Sequence, residues 1–339
     1  MTGQTNDRKI QHIQAILDDP QTDRDARYFD QIRLTHRALP EINFSDIDPT
    51  TTFLNKPLSF PLLISSMTGG DHQLVRTINR NLAIAAERCG VALAVGSQRV
   101  MFTEPESQSS FQLREYAPTA LLIGNVGAVQ LNYGFDVNQC QQAVDLLQAD
   151  ALYLHLNPLQ EAIQPEGDLN FSGLVDKISS VVQQLTVPVL LKEVGSGLSV
   201  SDIEKAHAVG VQYFDVAGTG GTSWSRIEHH RRASDDLGLV FQDWGIPTPV
   251  ALEQASVWSN KVTLIASGGL RNGIDLAKSV ILGGSLGGFA TPFLKPAMES
   301  PDAVVTVIEQ IKREYMTAMF LLGVQSTQAL KGKRHLISQ

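Results

Sequence analysis

Residues 263–291 read TLIASGGLRNGIDLAKSVILGGSLGGFAT, and this stretch decides the fold. Thr263–Ser267 is a short apolar run of the kind that forms a strand buried on both faces. It ends in Gly268-Gly269-Leu270-Arg271, continues through Asp275–Leu282 with apolar residues at helical spacing, and returns to a second apolar run at Leu286–Ala290. Strand, helix, strand is the unit of a parallel sheet. The glycines of 282–288 leave the start of the second strand open.

The same unit recurs upstream. Strand candidates fall at Leu62–Ser66, Val91–Val95, Ala120–Asn125, Ala151–Leu156, Val189–Lys192 and Tyr213–Ala217, which with the two above makes eight. Helical spacing is clear at Gln73–Arg88, where Leu74, Ile78, Leu82 and Ala85 recur, and again near Ala303–Leu322. Eight βα units favour a closed (β/α)8 TIM barrel over an open doubly wound sheet. The expected organisation is an N-terminal extension over 1–60, rich in charges such as Arg24, Asp25, Arg27, Asp30, Arg33 and Arg37, a barrel over 61–325, and a tail over 326–339. Lys331-Gly332-Lys333-Arg334 in that tail reads as a solvated basic segment. Gly218–Pro249, after the sixth strand, is far longer than the ~2–6 residues of most βα loops and reads as a lid.

Charge narrows the partners. With 27 Lys plus Arg against 35 Asp plus Glu, in 339 residues, the formal charge is −8, which disfavours nucleic acid and anionic membranes. Cys89 and Cys140 both lie in helix candidates, and so sparse a pair suggests buried, reduced thiols. No run approaches the ~18 apolar residues of a membrane span, and Met1–Asp7 lacks an apolar leader core, so a soluble, cytoplasmic protein is expected.

In such a barrel the active site lies at the C-terminal ends of the strands. Polar residues gather there repeatedly: Ser65-Ser66-Met67-Thr68-Gly69-Gly70, Gly96-Ser97-Gln98-Arg99, Gly124-Asn125 and His155-Leu156-Asn157-Pro158-Leu159-Gln160-Glu161. A lone His at a strand end is more often a satisfied core residue, but an imidazole, two amides and a carboxylate together read as a site. Lys192 closes the fifth strand, where a cation is costly to bury without an acceptor, so it reads as facing a cofactor or as half of an ion pair. Glycines 268 and 269, with Arg271, Ala290 and Thr291, sit where barrels often bind phosphate, after strands seven and eight. Ala217-Gly218-Thr219-Gly220-Gly221-Thr222 adds donors on the same side. A cofactor anchored there would meet Ser97, Asn125 and Lys192; FMN has the size and needs. Arg8, Lys9, His12 and Arg99 hint at a second anion site, or at no more than an exposed basic patch.

Taken together, Arg8-Lys9 with His12, Ser65–Gly70, Gly96–Arg99, His155–Glu161, Lys192-Glu193-Val194-Gly195 and Ala266–Arg271 closely resemble the type 2 isopentenyl diphosphate isomerases over nearly the whole chain. The glycine turn recurs in other FMN barrels, whereas His-x-Asn-x-x-Gln-Glu combined with the N-terminal Arg-Lys is particular to this family. The resemblance implies reversible conversion of isopentenyl diphosphate to dimethylallyl diphosphate, with reduced FMN, Mg2+ and NADPH as flavin reductant, in a homo-oligomer such as a tetramer or octamer. It implies FMN contacts at Ser66, Met67, Thr68, Ser97, Asn125, Lys192, Ala217, Thr222, Gly268, Gly269, Arg271, Ala290 and Thr291. Substrate contacts fall on Arg8, Lys9, Ser97, Arg99, His155, Asn157 and Gln160, with Glu161 as metal ligand; Gln160, His155, Asn157 and Lys192 take catalytic roles.

Two other FMN-barrel chemistries fit less well. A 2-hydroxy acid oxidase wants a His base late in the barrel, and no His follows the seventh strand except His335. A dehydrogenase acting on inosine monophosphate needs a cysteine on a barrel loop, and neither Cys89 nor Cys140 ends a strand. A binding protein without catalysis shares the fold, and turnover separates it from an enzyme.

Overall fold

The computed structural model describes residues 4–231 and 235–338, with the side chains of residues 4–8 outside that description. Eight parallel strands close into a barrel in sequence order. They are β1 Leu62–Ile64, β2 Ala92–Ala94, β3 Leu122–Gly127, β4 Ala151–His155, β5 Val189–Lys192, β6 Tyr213–Asp215, β7 Thr263–Ser267 and β8 Gly284–Phe289. Closure is made by β8 on β1, with Gly288 opposite Leu63. Each strand falls within a few residues of its sequence expectation, because the apolar runs are buried on both faces. Inside the barrel sit Leu63, Ala92, Ala94, Ile123, Tyr153, Leu190, Ile265 and Leu286. The outer faces pack under a ring of helices, including α2 (Gln73–Cys89), in one continuous core.

β8 begins two residues before the expected Leu286. The pairing with β7 jumps from Leu264 opposite Gly284 to Ile265 opposite Leu286, so Ser285 bulges out. A Cβ at Gly288 would collide with Ser65 and Ser267, so this glycine keeps space open at the barrel mouth.

The first segment crosses that mouth. Helix α1 (Gln4–Asp18) leads to Asp19, which accepts from Arg226 Nε at 2.6 Å and lies 2.7 Å from His230 Nε2. Arg24 is buried and donates to the carbonyls of Gly195, Thr222 and Gln242 at 2.7–3.0 Å, pinning the segment to the loops after β5 and β6. The stretch expected to be a lid carries two short helices, α4 (Trp224–His229) and Leu237–Val240, and runs into a longer one over Thr248–Ala255. The tail is less free than a solvated segment. Lys331, Lys333 and Arg334 are exposed, but Leu330 and Leu336 are buried and Ile337–Ser338 pairs antiparallel with Arg33–Leu34. Among the described residues no helix is long and apolar enough to cross a membrane. Both cysteines are buried, and burial pushes their thiols up to about 11 and about 12, which suits inert core residues.

Candidate active site

Two cavities open at the C-terminal end of the barrel. The larger, about 960 Å³, is walled by Ser65–Thr68 after β1, Lys192 on β5, Ala217, Gly221 and Thr222 after β6, Ser267–Arg271 after β7, and Gly288, Ala290 and Thr291 around the end of β8. α1 closes one side with Lys9, His12, Ile13 and Ile16. Part of its polar wall is unsatisfied: the hydroxyls of Ser65, Ser66 and Thr68 and Nε of Arg271 are buried without a hydrogen-bond partner among the described residues. Buried polar atoms are rarely left so, since each costs ~1–3 kcal/mol unless something enters to pair with it. Gly268 has φ +98°, and a Cβ there would collide with the Gly218 carbonyl, so only glycine lets these two loops meet. Ala217 holds φ +39°, a conformation that side chains rarely adopt and that gathers at ligand clamps. Helix α5 (Thr291–Glu299) starts at this wall with no side-chain cap; Pro292 has no N–H and the Phe293 N–H donates to the Ala290 carbonyl at 2.9 Å, so what the helix offers an anion here is the positive end of its dipole.

Lys192 stands at the floor. Its Nζ is 3.5 Å from Asp215 Oδ2, which also accepts from Tyr153 at 3.2 Å, while Ser267 donates to Oδ1 at 2.5 Å. The ion-pair reading of this lysine is therefore present, and Lys192 also lines the cavity; the two roles coexist.

The smaller cavity, about 480 Å³, is made of charge and amide. Ser97, Arg99 and Val100 come from the loop after β2, Gly127 and Gln130 from β3 and its end, and His155, Asn157, Gln160, Glu161 and Gln164 from β4 and α3 (Pro158–Ile163). Lys9 and His12 line it too, so α1 is the shared wall of both cavities. Here donors and acceptors largely satisfy one another. Glu161, buried, accepts from Asn157 Nδ2 at 2.8 Å, from the Asp168 N–H at 2.8 Å and from Gln164. Arg99 pairs with Asp168 at 2.7 Å. Gln160 accepts from Asn157 at 3.2 Å and donates to Glu228 at 2.8 Å. Asn157 Oδ1 is an exception, buried with no partner among the described residues.

Two groups have displaced titrations. His155 is held down to about 3, first by burial and then by Lys9, Lys192 and Arg99, so its ring is neutral at ordinary pH. Asn125 gives its Nδ2 hydrogen to Val95 at 3.0 Å, which turns its oxygen to His155 Nδ1 at 2.7 Å. The imidazole proton therefore sits on Nδ1 and Nε2 is the acceptor. Glu228 is fully buried, and burial alone would raise its carboxyl. His12 at 3.0 Å, Gln160 and Arg231 at 2.7 Å overcome that and hold it at about 2, an obligate carboxylate.

Of the residues singled out in the sequence, Ser66, Met67, Thr68, Lys192, Ala217, Thr222, Gly268, Gly269, Arg271, Ala290 and Thr291 line the larger cavity. Lys9, Ser97, Arg99, His155, Asn157, Gln160 and Glu161 line the smaller one. Ser97 lines the smaller cavity and not the larger one, and Asn125 lines neither, its side-chain oxygen lying 2.7 Å from His155 Nδ1. The side chain of Arg8 lies outside the described residues. Sequence reasoning missed Glu228, Gln164 and Asp168. Trp224, whose ring meets His12 edge to face at 5.2 Å, was visible only as part of a long loop.

A closed barrel with a glycine and helix-terminus cradle after β6, β7 and β8 defines a flavin-barrel protein, and residues 155–338 match the FMN-dependent dehydrogenase family. Solved structures agree on the fold: a flavocytochrome b2 variant with sulfite bound superposes at TM-score 0.66 with 19% identity, covering 91% of this chain and 76% of that one. A mandelate oxidase does so at TM-score 0.63 with 17% identity, covering 91% and 86%. Curated relatives are far more similar in sequence. The isopentenyl-diphosphate delta-isomerase of Paracoccus zeaxanthinifaciens is 56% identical over 98% of this chain and 97% of its own. That of Nostoc sp. is 46% identical over 97% and 95%, and that of Methanothermobacter thermautotrophicus 42% over 96% and 91%. The chain belongs to the isopentenyl-diphosphate delta-isomerase family.

Proposed function

We propose that this chain interconverts isopentenyl diphosphate and dimethylallyl diphosphate in isoprenoid biosynthesis, by adding a proton at one carbon and removing one at another. The observation that carries the reading is the junction of the cavities: Lys9 and His12 line both, so a short allyl chain anchored by its diphosphate in the charged cavity would reach a planar cofactor in the other.

The larger cavity suits FMN, because three unpaired hydroxyls, the Arg271 Nε and the glycine turn supply what a phosphate and a polar ring edge need. Ser66, Met67, Thr68, Lys192, Ala217, Thr222, Gly268, Gly269, Arg271, Ala290 and Thr291 would hold it. Bound in its reduced form, FMN would supply a ring nitrogen able to carry a proton, with NADPH as its reductant. The charged cavity suits Mg2+: Glu161 is one buried carboxylate, and the unpaired Asn157 Oδ1 offers a second oxygen beside it. A lone carboxylate completed by phosphate oxygens and water is a common Mg2+ arrangement. Lys9 and Arg99, with Arg8, would meet the remaining diphosphate charge.

The chain's own groups divide the remaining work. Gln160 cannot be a strong acid or base, but its amide is fixed at both ends, with its oxygen toward Asn157 and one N–H on Glu228, leaving its second N–H for the ligand. Glu228 stays charged and, by accepting from Gln160 and facing His12 at 3.0 Å, fixes both side chains at the cavity wall. His155 presents a neutral Nε2 acceptor. Cytoplasmic location and a homo-oligomeric state, a tetramer or octamer, complete the reading. Purified protein given isopentenyl diphosphate, FMN, NADPH and Mg2+ without oxygen should form dimethylallyl diphosphate, with no net NADPH use beyond flavin reduction. Binding of FMN without turnover would leave only a flavin-binding protein.

A further inference from the structure

After α3 the chain turns back on itself. Gln164-Pro165-Glu166-Gly167-Asp168 folds over Glu161, and a Cβ at Gly167 would collide with the Glu161 carbonyl, so glycine is what lets the turn close. The closure delivers the Asp168 N–H to Glu161 Oε2 at 2.8 Å. The carboxylate of the same residue, 14% exposed, accepts from Arg99 Nη1 at 2.7 Å and Gln130 Nε2 at 2.8 Å. One side chain and its own N–H thus tie together the loops after β2, β3 and β4, each of which lends a group to the charged cavity.

We infer that Asp168 is a positioning residue that presets the Arg99 guanidinium and the Glu161 carboxylate as one clamp for a diphosphate and its divalent cation. The inference rests on the diphosphate reading of the smaller cavity. Arg99 is 33% exposed on a long, rotamer-rich side chain, and anchoring Nη1 fixes the plane of the fork while the other N–H groups stay available. Glu161 is held by the backbone of Asp168, so a shift of that turn moves the cation site and the anion site together. The alternative role, a carboxylate that competes with diphosphate for Arg99, predicts the opposite sign.

The test compares FMN-loaded wild type with Asp168→Asn, Arg99→Ala and the double variant. Isopentenyl diphosphate and inorganic pyrophosphate are titrated calorimetrically with Mg2+ and oxidised flavin, so that no turnover occurs. Asp168→Asn keeps the size and the N–H to Glu161 and should weaken both ligands about tenfold, the scale of releasing one long side chain from its bound pose. FMN content and melting temperature should hold. In the Arg99→Ala background the same substitution should add less than about twofold, because its effect travels through Arg99. Gln130→Met, which leaves Asp168 in place and removes one of its donors, should give a smaller loss in the same direction and stands in if the Asn variant does not fold. Unchanged or tighter binding in Asp168→Asn, or a full effect surviving in Arg99→Ala, overturns the inference. Wild type that binds neither diphosphate overturns the reading beneath it, which is a different result.

Discussion

The two cavities at the barrel mouth solve opposite problems. The larger is built mainly from backbone, glycine and small hydroxyls, and Ser65, Ser66, Thr68 and Arg271 each leave one buried polar atom there without a partner among the described residues. The smaller is built from charged and amide side chains that have nearly all found one another, as Arg99 has Asp168 and Gln160 has Glu228. A ligand entering the first adds bonds that were missing, whereas a ligand entering the second must exchange partners. The first should therefore be judged by affinity for its cofactor, and the second by rate and by pH.

The largest expected effect breaks the first cavity alone. Gly288→Val places a branched side chain where even a Cβ meets Ser65 and Ser267, and overpacking of ~1–3 kcal/mol is spent directly on the cofactor wall. The purified variant should lose the flavin absorbance entirely, and with it all isomerisation, while still binding inorganic pyrophosphate with Mg2+. Retained flavin at full occupancy would show that β8 does not floor the cofactor site.

Next in size, Gln160→Leu breaks the second cavity alone. It keeps the volume and deletes the link between Asn157 and Glu228. With general acid–base groups worth ~10²–10⁴-fold, kcat should fall at least ~100-fold with FMN content intact. Normal kcat would remove Gln160 from the proton path, and lost flavin would move it into the cofactor wall.

The barrel was legible because buried parallel strands read as apolar runs, and Lys192 stood out because a cation at the end of such a run needs a reason. The larger cavity was legible for a related cause: glycine turns and hydroxyls at strand ends are local in sequence. Glu228 was not. It lies in Trp224–Arg231, a polar stretch inside a long loop, and only the packing of α1 and α3 against α4 takes it from water. Asp168 was hidden in the same way, since its meaning comes from Arg99, Gln130 and Glu161 on three other segments. The start of β8 was obscured by a bulge at Ser285 that no periodicity records.

A smaller effect sharpens the comparison through pH. His155 titrates at about 3 in the fold against ~6.5 for an ordinary histidine, so between those values the unfolded chain binds a proton that the native one does not. Stability is then complete above ~6.5 and is lost as pH falls, by at most ~1.4 kcal/mol per unit from this group. Urea denaturation at pH 7.5 and 5.5 should show a larger drop for wild type than for His155→Gln. Pyrophosphate should shrink the drop, because its charge offsets Lys9 and Arg99, two of the cations that hold the imidazole neutral. Equal drops in the two proteins would show that His155 is protonated in the native state.

The smallest effect is the most diagnostic of the first cavity. Thr68 is buried and its hydroxyl has no partner among the described residues, so Thr68→Val removes a polar atom that adds no stability until a ligand arrives. Flavin-free protein should be as stable as wild type or more so, by up to ~1–3 kcal/mol, the cost of an unsatisfied buried polar group. FMN should bind more weakly by a factor between about two and ten, the value of one neutral hydrogen bond of ~0.5–1.5 kcal/mol. The opposite signs of the two changes are the point, because a hydroxyl engaged in the fold itself would lose stability in the flavin-free protein. Thermal melts of the stripped protein and quenching of FMN fluorescence measure the two halves on one preparation. A destabilised flavin-free variant with unchanged FMN affinity would mean that Thr68 belongs to the scaffold, and that the larger cavity is no more open to a ligand than the charged one beside it.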